Sequence, residues 1–436
     1  MDNFSQAGAI GSVTCPCCGL LCDDLTVQRD AAGQLSVTEN GCARAVAFFA
    51  RPVVASAPRV GGKPATLQEA IAKAAQILAC AKQPLIAGLG TDVGGMRAVM
   101  NLAETSRAAL DHMNSPALLR NMLTLQNSGW FNTTLTEVRN RVDLLLVVGT
   151  DVVSVNPRFF EREIWNRETM FDQDTAGREV VYLGGQNLDV AAGVAPNGRK
   201  PEVIECDLDR LPEVVGALRA FVLGKPLVAG EIAGISTNIL RKLAQRLLAA
   251  KYSVVTWAAG ALALPHAELT VQNLAALVIA LNKTTRSAGL PLGGSDGDTS
   301  ANQVSAWISG YPVRNSYLRN APDYDPYLYS AERQLRSGEA DALLWISSFD
   351  PGRVPPATNA PTVVFGEAHM KFEREPDVFI PVATPGVDCK GALFRIDNVV
   401  SLPVKKLRDS ALPALADVLR EIEQQLDQKK QGAATC

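Results

Sequence analysis

Short, nearly unbroken apolar runs recur along this chain, and they restrict its fold more than any other feature. "PLIAGLG" (Pro84–Gly90), "DLLLVVG" (143–149), "SVVTWAAG" (253–260) and "DALLWIS" (341–347) are the clearest, and "EVVYLGG", "EVIECD", "TVVFG" and "DVFIPVA" follow the same grammar. A strand without polar alternation must be covered on both faces. Amphipathic stretches such as "AGISTNILRKLAQRLLAA" and "TVQNLAALVIALNKTTRSAG" lie between the runs. Strand and helix in alternation mean a largely parallel sheet with helices on both sides. At 436 residues the chain exceeds one ordinary core, so two doubly wound α/β sheets are expected. Thr66 and Glu69 form a Thr-x-x-Glu capping box ahead of a helix carrying Leu67, Ile71, Ala74, Ala75 and Leu78 on one side.

The expected organisation is a small Cys-rich module over 1–52, a discontinuous α/β domain over 53–110 and 335–436, a second α/β domain over 111–285, and a long loop region bridging the domains over 286–334. The loop reading rests on "GLPLGGSDGDTSANQ" (289–303) and "GYPVRNSYLRNAPDYDPYLY" (310–329), which are rich in Gly, Ser, Asp, Pro and Tyr. A helix over 413–428 and a frayed "KKQGAATC" tail end the chain.

Composition excludes several classes. The chain is 47% hydrophobic and 20% charged with net charge −3, and its charges are interspersed. That balance argues against nucleic acid or an anionic membrane as the main partner. No stretch approaches the ~20 apolar residues of a membrane span. The N-terminal "MDNFSQAGAIGSV" lacks the basic and apolar regions of a signal peptide. Nine cysteines in a large chain of this kind do not suggest a disulfide scaffold, and a cytoplasmic setting is expected.

Five of the nine fall in the first tenth of the chain. Cys15-x2-Cys18-x3-Cys22, with Cys42 further on, is a spacing that brings thiolates to one ion or cluster edge. A [4Fe–4S] cluster or a structural Zn²⁺ fits; without metal the thiols would pack as small apolar groups. A metal would staple a module too small to bury much core. Cys17 is the odd thiol out; Cys80, Cys206, Cys389 and Cys436 are scattered and read as inert.

Other candidates carry weaker signals. "GLGTDVGG" (88–95) lies between a strand and a helix, the setting for phosphate binding, but its Gly-x-Gly-x3-Gly spacing reads better as a simple turn. Of His112, His266 and His369, only His369, in "EAHMKFERE", sits beside carboxylates that could tune a base. Asp23 and Asp24 read as local caps.

Several motifs together carry a family resemblance. "CPCCGLLCDD" with "NGCARAVAFFA" resembles the cluster-binding module of the formylmethanofuran dehydrogenase B subunit family, in the molybdopterin oxidoreductase superfamily. "LQNSGWFNTTLTEVRNRVDLLLVVGTDVVSVNPRFFERE" (125–163), "SAWISGYPVRNSY", "DALLWISSFDP" and "PDVFIPVATPGVDCKGALFRIDNVVSLP" are similar to later landmarks, so the likeness runs from about residue 12 to 405. It implies a molybdopterin-oxidoreductase-like body. The family's Mo/W-ligating Cys should lie some nine residues before Gln126, yet "DHMNSPALLRNMLTLQ" (111–126) contains none. Met113 and Met122 are weak ligands. The C-terminal β-barrel of long relatives is also missing.

These losses point within the family to the B subunit of the methylotroph formyltransferase/hydrolase complex. The resemblance then implies a noncatalytic structural subunit in C1 (formaldehyde) oxidation, without Mo/W-pterin. Its partners would be an amidohydrolase-like A subunit, a C subunit and a formyltransferase D. That complex moves a formyl group from tetrahydromethanopterin to methylofuran and releases formate. The competing reading is an active Mo/W bis-pterin formylmethanofuran dehydrogenase with Ser115 or Asp111 as the ligand. If the cofactor cavity is empty, Trp130, Trp257 and Trp307 are expected to refill it.

Overall fold

The computed structural model describes residues 8–434, and the first seven residues and Cys436 lie outside the described residues. The chain divides into two compact units, Met1–Ser115 with Gly294–Cys436, and Pro116–Gly293.

The first unit opens with a small antiparallel sheet of Gly8–Val13, Leu25–Arg29 and Leu35–Glu39, in that order. Leu25 and Val27 alternate inward, as period-two packing requires. Asp30 closes the turn after the central strand by accepting the N–H groups of Ala32 (2.9 Å) and Gln34 (2.8 Å). The short helix Ala43–Phe49 follows Cys42.

The main sheet of this unit has nine strands among the described residues. Five parallel strands form its centre, ordered Ala109–His112, Pro84–Gly90, Ala342–Ser347, Thr362–Gly366 and Val378–Pro381. Short antiparallel pairs finish both edges. Ile86, Leu344, Val363 and Ile380 meet the helices Leu67–Cys80, Val93–Ser106 and Leu415–Ala434, while Leu85, Leu343, Trp345, Val364 and Phe379 fill the opposite face. This is the two-sided burial that the unbroken apolar runs require. Gly88 makes a close approach possible: its φ is +80°, and a Cβ there would lie 2.5 Å from Ile346 O.

In the second unit all five strands of the sheet are parallel, ordered Glu202–Ile204, Glu179–Leu183, Leu144–Val148, Ser253–Ala258 and Ser287–Leu292. Leu211–Val222, Thr237–Ala249 and Ala267–Leu281 supply its helical cover.

Four expectations need correction. The segment 286–334 is not a bridging loop, since it contains the strand Ser287–Leu292, the helix Asp298–Ser309 and a short antiparallel pair. "SAGLPL" hides its strand because Gly and Pro weaken the pattern; Pro291 is tolerated because the strand is an edge of the sheet. The chain therefore re-enters the first unit at Gly294 rather than near 335, and Asp111 and His112 belong to that unit rather than to a domain over 111–285. The last helix also runs beyond 428, to Ala434.

The Thr66 capping box forms as expected: Glu69 N–H donates to Thr66 Oγ1 at 3.2 Å, and Thr66 N–H donates to Glu69 Oε2 at 2.8 Å. Thr66→Ala is expected to cost about 1 kcal/mol, read as a lower urea midpoint with an unchanged slope.

Candidate functional site

In open α/β sheets the binding crevice lies outside the carboxyl ends of the strands, where strand order reverses. In the second unit that point falls between Leu144–Val148 and Ser253–Ala258. It is occupied by this chain's own side chains. Gly149 ends the first of these strands with φ +65°, and a Cβ there would meet Leu262 Cδ2 at 2.7 Å and Leu211 Cδ2 at 3.2 Å. Both leucines are fully buried.

Trp257 stands beside them, also fully buried, with Trp130 edge-on at a centroid distance of 5.7 Å. Its ring covers Gly289, where a Cβ would lie 3.1 Å away. Trp130 and Trp257 pack into the apolar core of this unit. Trp307 does not: it is 58% exposed and rests against Phe394.

The cysteine-free stretch over 111–126 lies mostly in the helix Ser115–Ser128, whose polar side chains reach the segment 257–268. Arg120 Nη1 donates to Ala259 O, Asn121 Oδ1 accepts the Trp257 indole N–H at 3.0 Å, and Thr124 Oγ1 donates to Glu268 O at 3.2 Å. Sequence reasoning missed this latch because its partners lie more than 130 positions away.

In the first unit the order reverses between Pro84–Gly90 and Ala342–Ser347. Ser348 N–H donates to Gly90 O at 2.7 Å, which carries the pairing past the strand ends. Met113 Cε lies 3.0 Å from a Cβ position at Gly90. Gly297 closes over Thr91, where a Cβ would sit 2.1 Å from Thr91 O. "GLGTDVGG" needs no outside anion, because Asp92 accepts the N–H groups of Gly94 (3.2 Å) and Gly95 (2.9 Å) at the helix start.

A polar network lines the same edge. His112 is buried; its Nδ1 accepts the Asn114 N–H at 2.9 Å, so Nε2 carries the proton toward Asp296 O at 3.3 Å. Burial pushes the imidazole pKa down. Asn114 Nδ2 donates to Asp298 Oδ2 at 3.1 Å, and Arg353 lies 3.4 Å from Asp296. Burial pushes the Asp296 and Asp111 carboxyls up, although Arg353 and Arg314 oppose it. His369 Nδ1 is 2.7 Å from Glu367 Oε1. Among the described residues His369 Nε2, Thr91 Oγ1 and Ser348 Oγ are buried without a partner. His266 is exposed on the second unit beside Glu268.

The Cys loop closes on itself, with Cys15 N–H donating to Cys22 O at 2.8 Å and Leu21 N–H to Cys18 O at 3.1 Å. Gly19 fastens it to the body, donating to Gly294 O (2.9 Å) and accepting from Ile396 N–H (2.8 Å). Cys15, Cys18 and Cys22 are buried, and Cys17 and Cys42 are partly so. Burial pushes the Cys17 thiol up, reinforced by Cys15, Cys18 and Cys42. Among the described residues no three Cys, His, Asp or Glu side chains are arranged to hold a metal ion. The donor set is nonetheless the soft, loop-borne one that Fe–S or Zn²⁺ takes. Beside Cys18 and Gly19, facing Asp298 and Phe394, the cavity is about 10 Å³, the space of one water.

No family model matches the chain. In sequence it is 31% identical over 342 residues to the Fhc B subunit of the formyltransferase/hydrolase complex of Methylorubrum extorquens, covering 77% of this chain and 87% of that protein. The chain belongs to this B subunit family. It is also 26% identical to the B subunit of tungsten-containing formylmethanofuran dehydrogenase 2 of Methanocaldococcus jannaschii, over 95% of this chain and 96% of that one. In structure it is similar to a chain of the formyltransferase/hydrolase complex FhcABCD of Methylorubrum extorquens, solved with methylofuran. The TM-score is 0.73 at 28% identity, covering 86% of this chain and 99% of that chain. Acetylene hydratase of Pelobacter acetylenicus shares the fold alone, with TM-score 0.64, 10% identity, and coverage of 97% and 70%. The resemblance read from the Cys loop and the later landmarks therefore holds. No helix of the described residues is long and apolar enough to cross a membrane.

Leu262→Ala is expected to open a cavity at the Gly149 strand end and cost about 2–5 kcal/mol, seen as a fall in the unfolding midpoint. His112 is expected to stay neutral at pH 6.5, where a free imidazole is half protonated; imidazole NMR shifts that titrate normally there refute the buried tautomer.

Proposed function

We propose that this chain is a noncatalytic structural subunit of a formyltransferase/hydrolase complex in tetrahydromethanopterin- and methylofuran-linked C1 oxidation to formate. In this reading it is a degenerate formylmethanofuran dehydrogenase B subunit that carries no Mo/W-pterin. One observation supports the reading: the chain's own residues pack closely at both strand-order points, Leu262 and Leu211 against Gly149 in one unit, and Met113 against Gly90 and Gly297 against Thr91 in the other. The helix without the family cysteine serves instead as the latch on the Ala259 loop. An α/β body can keep presenting surfaces to partners after its own site has closed, because fold and site are separable.

The partners are the other subunits of the complex: an amidohydrolase-like A, a C subunit and the formyltransferase D, which carry the chemistry. The relative of similar structure is a component of such an assembly. The setting is cytoplasmic. Cys15, Cys18, Cys22 and Cys42 hold a [4Fe–4S] cluster or a structural Zn²⁺, which when bound cross-links the N-terminal module. Cys15 and Cys22 are already joined through their backbone.

Elemental analysis of the native complex tests the reading. Fe or Zn near one site per chain with neither W nor Mo is expected, and Cys18→Ser with Cys22→Ser should abolish that metal while the complex stays assembled. Near-stoichiometric W or Mo overturns it and restores the dehydrogenase.

A further inference from the structure

A cavity bordered by charged residues lies at the end of the second unit's sheet opposite that unit's crevice. It is about 260 Å³, in the second unit, at the amino ends of the strands Glu179–Leu183 and Glu202–Ile204. Its wall carries four cations, Arg178, Arg199, Lys200 and Arg246, against two carboxylates, Glu179 and Glu202. Both carboxylates are already engaged: Arg246 Nη2 is 2.7 Å from Glu179 Oε2, and its Nη1 pairs with Glu202.

The other three cations border the cavity on different terms. Arg178 is 2% exposed. Its hydrogen bonds all go to neutral acceptors: the carbonyls of Glu163 (3.1 Å), Ile164 (2.7 Å) and Arg139 (2.7 Å), and the side-chain oxygens of Asn166 (3.2 Å) and Gln173 (2.7 Å). Among the described residues its Nε is buried with no acceptor. Arg199 is pinned across the strand start, with Nη2 donating to Ala176 O at 3.1 Å and to Arg178 O. Lys200 is exposed and has no ion-pair or hydrogen-bond partner among the described residues. Trp165 fixes another wall by donating its indole N–H to Ala192 O at 2.7 Å.

Burial of the Arg178 guanidinium is only partly offset by the nearby Glu163 charge, and a further neighbouring anion offsets more of that cost. Guanidinium and ammonium groups converging on a polar hollow match the several oxygens of a phosphate better than one carboxylate. We propose that this cavity is an oxyanion site that takes a phosphate-bearing small molecule. Arg199 and Lys200 contact the phosphate, and Arg178 fixes the positive field beneath it. The cavity shares no wall residue with the crevices or the Cys loop, so the site stands apart from the function proposed above.

Calorimetric titration of the intact protein with inorganic phosphate and pyrophosphate, at matched ionic strength, tests it. Saturable binding is expected, tighter for pyrophosphate and weakened by added salt. Lys200→Glu should weaken it at least tenfold and Lys200→Arg should restore it, with the melting temperature unchanged in both, since Lys200 holds no structural contact. Absence of saturable binding overturns the site, as does binding that Lys200→Glu leaves untouched. Citrate binding as tightly as pyrophosphate overturns the phosphate assignment.

Discussion

A parallel strand buried on both faces has no side that tolerates water, and everything else in this protein follows from meeting that demand twice. Along Pro84–Gly90, Ile86 packs into the helical layer while Leu85 and Ala87 pack into the opposite one. Leu344 and Leu343 divide in the same way one strand over. With both faces taken up by apolar packing, polar groups can collect only at strand ends. That is where His112, Asp296, Asp298, Glu367 and His369 are found in one unit, and where Arg178, Glu179 and Glu202 are found in the other.

The carboxyl ends of such sheets usually stay open because successive loops part there. In this chain the loops return. Leucines lie against Gly149, Gly297 lies against the Thr91 backbone, and Asp92 consumes the helix-start N–H groups that an anion would otherwise use. Closure of this kind has a cost, visible in the buried Thr91 Oγ1, Ser348 Oγ and His369 Nε2 left without partners. These close contacts sit at the strand ends of a chain that is 26% identical to a tungsten-containing dehydrogenase subunit.

The sequence was most legible where chemistry is local. The capping box at Thr66 needs only residues three apart, and it forms. The closely spaced cysteines implied one loop, and the Cys15–Cys22 hydrogen bond closes it. The apolar runs marked the strands because two-sided burial is written into each segment by itself. Reading failed where local chemistry opposes tertiary context. "SAGLPL" carries turn residues yet is buried as an edge strand, and Trp307, expected inside, lies on the surface against Phe394.

The sequence by itself determined the fold class, the order of most strands and helices, the cysteine loop and the absence of any cysteine between Asp111 and Gln126. Each of these depends on residue type within a few positions. Only the tertiary structure decided which residues meet at the strand ends, which unit the segment after Gly293 joins, and which cations gather at one cavity. Leu262 reaches Gly149, and Lys200 reaches the cavity beside Arg178, through sheet pairing that brings distant positions together. Pairing of that range is set by the packing of whole layers, and no single stretch of the chain encodes it.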